Sequence, residues 1–347
     1  MKTGQNINEI AKQVLKMAAA KKDYAMDTRN LKMTRTAQLA FVVGGKSVEV
    51  APTDRCVNQI AARVGIPRAY AARLQTEAPG LLADNVNHWF QSAPEVRMLR
   101  TYQNGENVGR AFLSQKYRSL DNDDMLRMVL PKLMEAGCEI KSSEVTEKRL
   151  YVQAVFPKVQ GEIKVGDVVQ AGVTISNSEV GAGSLRVEPL LYRLRCTNGM
   201  ILPSALKKHH IGRAGEGEWE AGEANEVFSD ATRQLDDKAF WAKVNDVVKS
   251  SLNEVKFKEN MARMLEATKV DTGKPTEAVE VLVKRYGFSD DESDSVLEHL
   301  SRGGDLSLWG LANAVTRTAE DLASYDRAVE FERIGGEVIE LAPNMFN

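Results

Sequence analysis

The sequence predicts an α+β fold: an antiparallel-sheet module with hairpins and packed helices over residues 1–214, then an all-helical module over residues 215–347. Three observations carry this expectation. Several short runs between residues 37 and 196 place an apolar residue at every second position, the period of a strand with two unlike faces. Beyond residue 228 the apolar spacing becomes helical, and no alternating run follows. Charge divides near the same point. Residues 1–214 hold 31 Lys and Arg against 20 Asp and Glu, a net of +11, whereas residues 215–347 hold 15 against 28, a net of −13.

The elements follow in order. Ile7, Ile10, Val14 and Met17 lie at helical spacing near the start. AQLAFVV and KSVEV flank Gly44-Gly45 and read as a hairpin, because glycine takes the positive φ of a tight turn without strain. Thr53 is placed to cap a helix carrying Val57, Ile60, Ala61 and Val64. Gly65 closes it, and Pro67 suits the start of the next. Leu82, Val86, Trp89 and Phe90 mark a third helix. VRMLRTY and VGRAFLSQKY then flank an Asn104-Gly105 turn. Asp121 stands where a cap belongs, before Leu126, Val129, Leu130 and Leu133. Strands are expected at 149–156, 168–176 and 185–196, with one polar face, hence a sheet packed on one side only. The run GRAGEGEWEAGEANE reads as a linker. Helices are expected at 228–250, 252–268, 276–286, 290–300 and 306–331, with Ser289 before an acidic turn as a start signal.

Composition bounds the function. With 43% hydrophobic and 27% charged residues, the chain belongs with globular proteins rather than disordered, collagen-like or coiled-coil ones. Cys56, Cys138 and Cys196 are odd in number and widely spaced, against a disulfide framework and for a reducing cytoplasm. The charged N-terminus has no apolar signal core, and no run approaches the ~18 apolar residues of a membrane span, so no membrane partner is expected. His88, His209, His210 and His299 form no HExxH, no cysteines are spaced CxxC, and no metal or other cofactor is expected. No GxSxG or Ser/His/Asp order is legible, and Cys196 has only distant histidines. A binding protein is expected rather than an enzyme.

Two motifs compete with simpler readings. AFVVGGKS at 40–47 is one residue short of a phosphate loop, but its β-branched interior resists the inward-turned amides such a loop needs, and a hairpin explains it. NQIAARVGIPRAYAARL at 58–74 has helix-turn-helix spacing and would offer Arg68, Tyr70 and Arg73 to a major groove; an ordinary helical hairpin uses the same small residues. A broader signal is a basic and aromatic set: Arg110, Lys116, Tyr117 and Arg118 in RAFLSQKYR; Arg186, Tyr192, Arg193 and Arg195 in the last strand; Lys207, Lys208, His209, His210 and Arg213 in KKHHIGR. Cations track a phosphate backbone and rings stack on bases, so these residues on one sheet face would form a nucleic-acid surface.

The blocks TDRCVNQIAARVGIPRAY, LLADNVNHWF, RAFLSQKYRSLDNDD, SLRVEPLLYRLRCTNGM and KKHHIGR, over about residues 50–213, resemble a family of phage- and plasmid-borne proteins of unknown function, including proteins encoded near the leading region of conjugative plasmids. That setting and the hairpin-plus-helix core suggest kinship with single-strand annealing recombinases of the Red-beta, Erf and Sak kind. The resemblance implies a protein in the cytoplasm of a bacterial host. It would bind single-stranded DNA as a homo-oligomer, a ring being one form, and anneal complementary strands without ATP. A helix-turn-helix duplex binder using residues 54–74 and a phage structural or host-interaction protein without a nucleic-acid role are the alternatives.

Overall fold

A computed structural model describes residues 1–115, 117, 120–203, 206–208, 230–251 and 253–346. The expected linker run and Lys116, Arg118, His209, His210 and Arg213 lie outside these residues. Helix α1 (Ile7–Ala20) leads into β1 (Lys21–Asp27), β2 (Leu31–Met33), β3 (Leu39–Val43) and β4 (Lys46–Pro52). Helices α2 (Asp54–Arg63), α3 (Arg68–Glu77) and α4 (Pro79–Ser92) precede β5 (Val96–Asn104) and β6 (Glu106–Ser114). After α5 (Asn122–Glu135) come β7 (Glu139–Val145), β8 (Leu150–Glu162), β9 (Val168–Asn177), β10 (Leu185–Arg193), β11 (Asn198–Ile201) and β12 (Leu206–Lys208). The chain closes with α6 (Asp230–Ser251), α7 (Glu254–Ala267), α8 (Pro275–Tyr286), α9 (Asp290–Gly303), α10 (Leu308–Thr318) and α11 (Tyr325–Val338). The architecture is α+β.

Two sheets form. The first runs β1-β5-β6-β4-β3-β2 and is antiparallel except for a short parallel pairing of β4 with β6. Gly44 and Gly45, at φ of 55° and 75°, turn the β3–β4 hairpin, and Gly105 at 86° turns β5 into β6. Thr53 caps α2 by accepting from the Cys56 amide. Leu39, Phe41, Val50, Leu99 and Phe112 pack on one side against Ile60, Leu82, Val86 and Phe90 of α2 and α4. On the other side Val42, Glu49 and Ala51 are exposed.

The second sheet, β11-β10-β9-β8-β7 with β12 also on β10, is antiparallel throughout. Here the expectation of one-sided packing fails. Leu150, Val152, Ala154, Val173 and Ile175 face α1, α5 and α6, as expected of an apolar row. The alternate row is buried as well. Ser142, Gln153, Thr174 and Glu188 lie side by side across four strands and are all under 5% exposed. Helix α11 covers them: Gln153 Nε2 donates to Glu332, and Arg333 grips Glu188 with contacts of 2.6–3.1 Å. Gly336 permits this approach, because a Cβ there would sit 2.0 Å from the Ile201 carbonyl oxygen. The polar alternation marks a hydrogen-bonded interface, not a wet face.

Two further expectations are corrected. Residues 306–331 form two helices, because the chain turns at 319–324 and Ser324 caps a second one by accepting from Arg327 N. Asp121 occupies the cap position of α5 but makes no capping bond; its carboxylate goes to Arg100 and Lys21. The apolar core also crosses residue 214, since Trp241, Val244 and Val248 join one cluster with the strands and Phe257 to Leu341 join another. Ser289 meets its expectation, forming a capping box with Glu292. Among the described residues no helix is long and apolar enough to cross a membrane.

Candidate nucleic-acid interface

The basic and aromatic set does not share one face. Arg186 and Arg193 are seven positions apart on β10, an odd number in a strand without a bulge, so they point to opposite sides and lie roughly 23 Å apart. Tyr117 and Tyr192 are 6% and 8% exposed and present no ring to solvent. Burial pushes the Tyr117 hydroxyl up to about 12, and it donates to the Ser178 carbonyl. Tyr192 packs beside Tyr151 and Tyr325. Backbone pairing sets Lys207 and Lys208 of β12 opposite Arg186 and Leu185.

Arg110 belongs to a buried junction between the sheets. Its guanidinium meets the Glu179 carboxylate at 2.9 Å, and the same carboxylate accepts from the Asn122 amide at 2.6 Å. Arg100, 1% exposed, bonds Asp121, Asp23 and the Glu179 carbonyl. A charge this deep persists only when its donors are matched. The block RAFLSQKYRSLDNDD thus ties the first sheet to the second. Asp121, Asp123 and Asp124 bring carboxylate oxygens within 4.8 Å of one another, the only such group among the described residues. Of the three, Asp121 is already held by Arg100 and Lys21.

Arg193 and Arg195 do converge with other cations. They enter a cleft of about 550 Å³ between the turns at the end of β10 and helices α9 and α10. Lys164, Arg302 and Arg317 complete five permanent cations on its walls, against the carboxylates of Asp167 and Asp305. The floor is rigid. Arg193 binds Asp167 through two nitrogens at 2.5 and 2.8 Å, and Trp309 Nε1 donates to the same carboxylate at 3.1 Å. Lys164 pairs with Asp305 at 2.7 Å. Burial works against the Asp305 charge, but hydrogen bonds from Lys164 and Ser307 hold its carboxyl below the usual range. Arg317 holds Glu320 and the Cys196 carbonyl. Arg302 is exposed and paired with Glu298 one turn earlier. Arg195 is exposed and makes no hydrogen bond or ion pair among the described residues. The wall therefore offers one uncommitted guanidinium beside several whose carboxylate partners are screened or shared. That is suited to an oxyanion chain rather than an apolar ligand.

Residues 111–330, more than half of the chain, match the family model described as Domain of unknown function (DUF932). The chain belongs to that family. No curated protein and no solved structure matches it. The family region spans the second sheet and all of α5 to α10, so both walls of the basic cleft lie inside it. Sequence reasoning found Arg193 and Arg195 but missed Lys164, Arg302 and Arg317. The last two stand in the half whose net charge is negative, and only folding brings them more than 100 positions back to β10.

Proposed function

We propose that this protein binds single-stranded DNA, with the phosphate backbone running through the cleft lined by Arg193, Arg195, Lys164, Arg302 and Arg317. The observation that carries the reading is the convergence of five cations from four separate segments around one cleft, with Arg195 uncommitted. The resemblance to phage- and plasmid-borne proteins, and through them to the annealing recombinases, supports the same substrate. In that reading the chain works as a homo-oligomer in a bacterial cytoplasm. It holds strands by their phosphates with bases outward and promotes annealing without nucleotide hydrolysis. Burial of Tyr117 and Tyr192 makes the contact chiefly electrostatic, so affinity should fall steeply with salt. Fluorescence anisotropy with a labelled single strand tests this. Arg195→Glu with Arg302→Glu should weaken binding roughly tenfold or more and flatten the salt slope, with folding unchanged. Equal binding by the double variant overturns the reading.

The helix-turn-helix reading keeps one supporting observation. Arg68 and Tyr70 of α3 are exposed, and Arg68 makes no hydrogen bond or ion pair among the described residues. Selection of bound duplexes that returned a single palindromic motif, lost in Arg68→Ala, would favour it over the cleft.

A further inference from the structure

A second cleft, of about 500 Å³, opens at the other end of β10, between the start of β8, the loop before β10 and helix α11. Three arginines meet there, and their partners differ. Arg333 is neutralised by Glu188 in a two-nitrogen contact. Arg149 is bonded only to carbonyl oxygens, Ala182 at 2.8 Å and Ser184 at 3.3 Å. The Arg186 side chain makes no hydrogen bond or ion pair among the described residues, and its Nε is buried. The nearby carboxylates are engaged or peripheral. Asp326 accepts from the Tyr151 and Thr146 hydroxyls, Glu330 pairs with Arg327, and Glu337 is exposed at the rim.

The loop is shaped around this arrangement. Gly183 has φ of 147°, and a Cβ there would sit 1.7 Å from Arg149 Nη2, so a side chain would displace the guanidinium. Burial, with the like charges of Arg186 and Arg333 behind it, holds Arg149 below the ordinary arginine range. Two half-buried guanidinium groups without a carboxylate partner, one with its Nε fully buried, favour an anion between them. A carboxylate would balance one. A phosphomonoester carries about −1.5 to −2 at neutral pH with three strong acceptor oxygens, and matches both.

We propose that this cleft is a phosphomonoester site in which Arg186 and Arg149 grip the phosphoryl oxygens. It is separate from the cleft at Arg193 and does not depend on the nucleic-acid reading. Calorimetric titration of the full chain with inorganic phosphate, at constant ionic strength, should show saturable binding. Arg186→Gln should weaken it roughly tenfold, the loss of a charge-assisted contact, while the thermal midpoint stays put because Arg186 holds nothing else. Arg195→Glu should leave phosphate binding unchanged. A matched pair of oligonucleotides, one 5′-phosphorylated and one 5′-hydroxyl, separates the sources of the group. Preference for the phosphorylated end assigns the site to a strand terminus, and no preference, with phosphate still bound, assigns it to a small phosphomonoester. Absence of saturable phosphate binding, unchanged binding by Arg186→Gln, or acetate binding as tightly as phosphate overturns the proposal.

Discussion

The two sheets use the same alternating sequence pattern for different ends. In the first, the face opposite the core is open to solvent along β3 and β4, at Val42, Glu49 and Ala51, and is covered only at β5 and β6, where Arg100, Ala111 and Leu113 are buried. In the second, the row opposite the core carries Gln153, Thr174 and Glu188, and α11 seals it with Glu332 and Arg333. A polar residue on a strand therefore says that its side chain needs hydrogen bonds; it does not say whether water or another helix supplies them. The difference has an energetic signature. Removing a partner on the sealed face strands a buried charge, while the same change on the open face only returns a group to water.

The largest effect should come from Arg333→Met. It leaves Glu188, 4% exposed, without its guanidinium, and urea unfolding should show a loss of about 3–5 kcal/mol. A loss under about 1 kcal/mol would mean that water reaches this row and the sheets are alike.

A smaller effect, of opposite sign, should come from Glu332→Gln. Burial raises the Glu332 carboxyl from 4.5 to about 7, ahead of the opposing pull of nearby positive charge and the Gln153 amide. The folded chain thus holds a proton that the unfolded chain has given up between those values. This group's contribution to stability is whole below about pH 4.5 and is lost as pH rises through 7. The glutamine variant keeps an acceptor for Gln153 without the charge. It should be more stable than the parent at pH 8 by about 1–3 kcal/mol and equal to it near pH 4.5. Thermal melts across that range check the sign, and a variant destabilised at pH 8 would show that the carboxylate is favoured where it stands.

The smallest should come from Glu49→Ala on the open row of β4, within about 0.5 kcal/mol of the parent at any of these pH values. A larger loss would place an unseen partner on the first sheet's outer face.

Local physics carried much of the fold into the sequence. The hairpins at Gly44-Gly45 and Asn104-Gly105, the Thr53 and Ser289 caps, the helix of 122–135 and the α+β class all rest on glycine's tolerance of positive φ, on short-range capping bonds and on period. Each acts within a few residues. Short strands with weak alternation, Lys21–Asp27 and Glu139–Val145 among them, escaped because pairing with distant partners defines them. The break at 319–324 escaped because the apolar period runs on across it.

The site was legible in part. Arg193 and Arg195 were marked by their charge in a strand, but whether a charge is exposed, clamped or buried depends on what folds over it. Tyr117 looked like a stacking ring and became core; Arg110 looked like a phosphate contact and became half of an internal ion pair with Glu179. Sequence alone determined which residues bend, cap and alternate, since those properties belong to single side chains and their near neighbours. Tertiary structure alone decided that β10 has a basic cleft at each end. Arg302, Arg317 and Arg333 reach that strand only when the acidic helical half packs back on the sheet, and burial then assigns each charge a partner or leaves it without one.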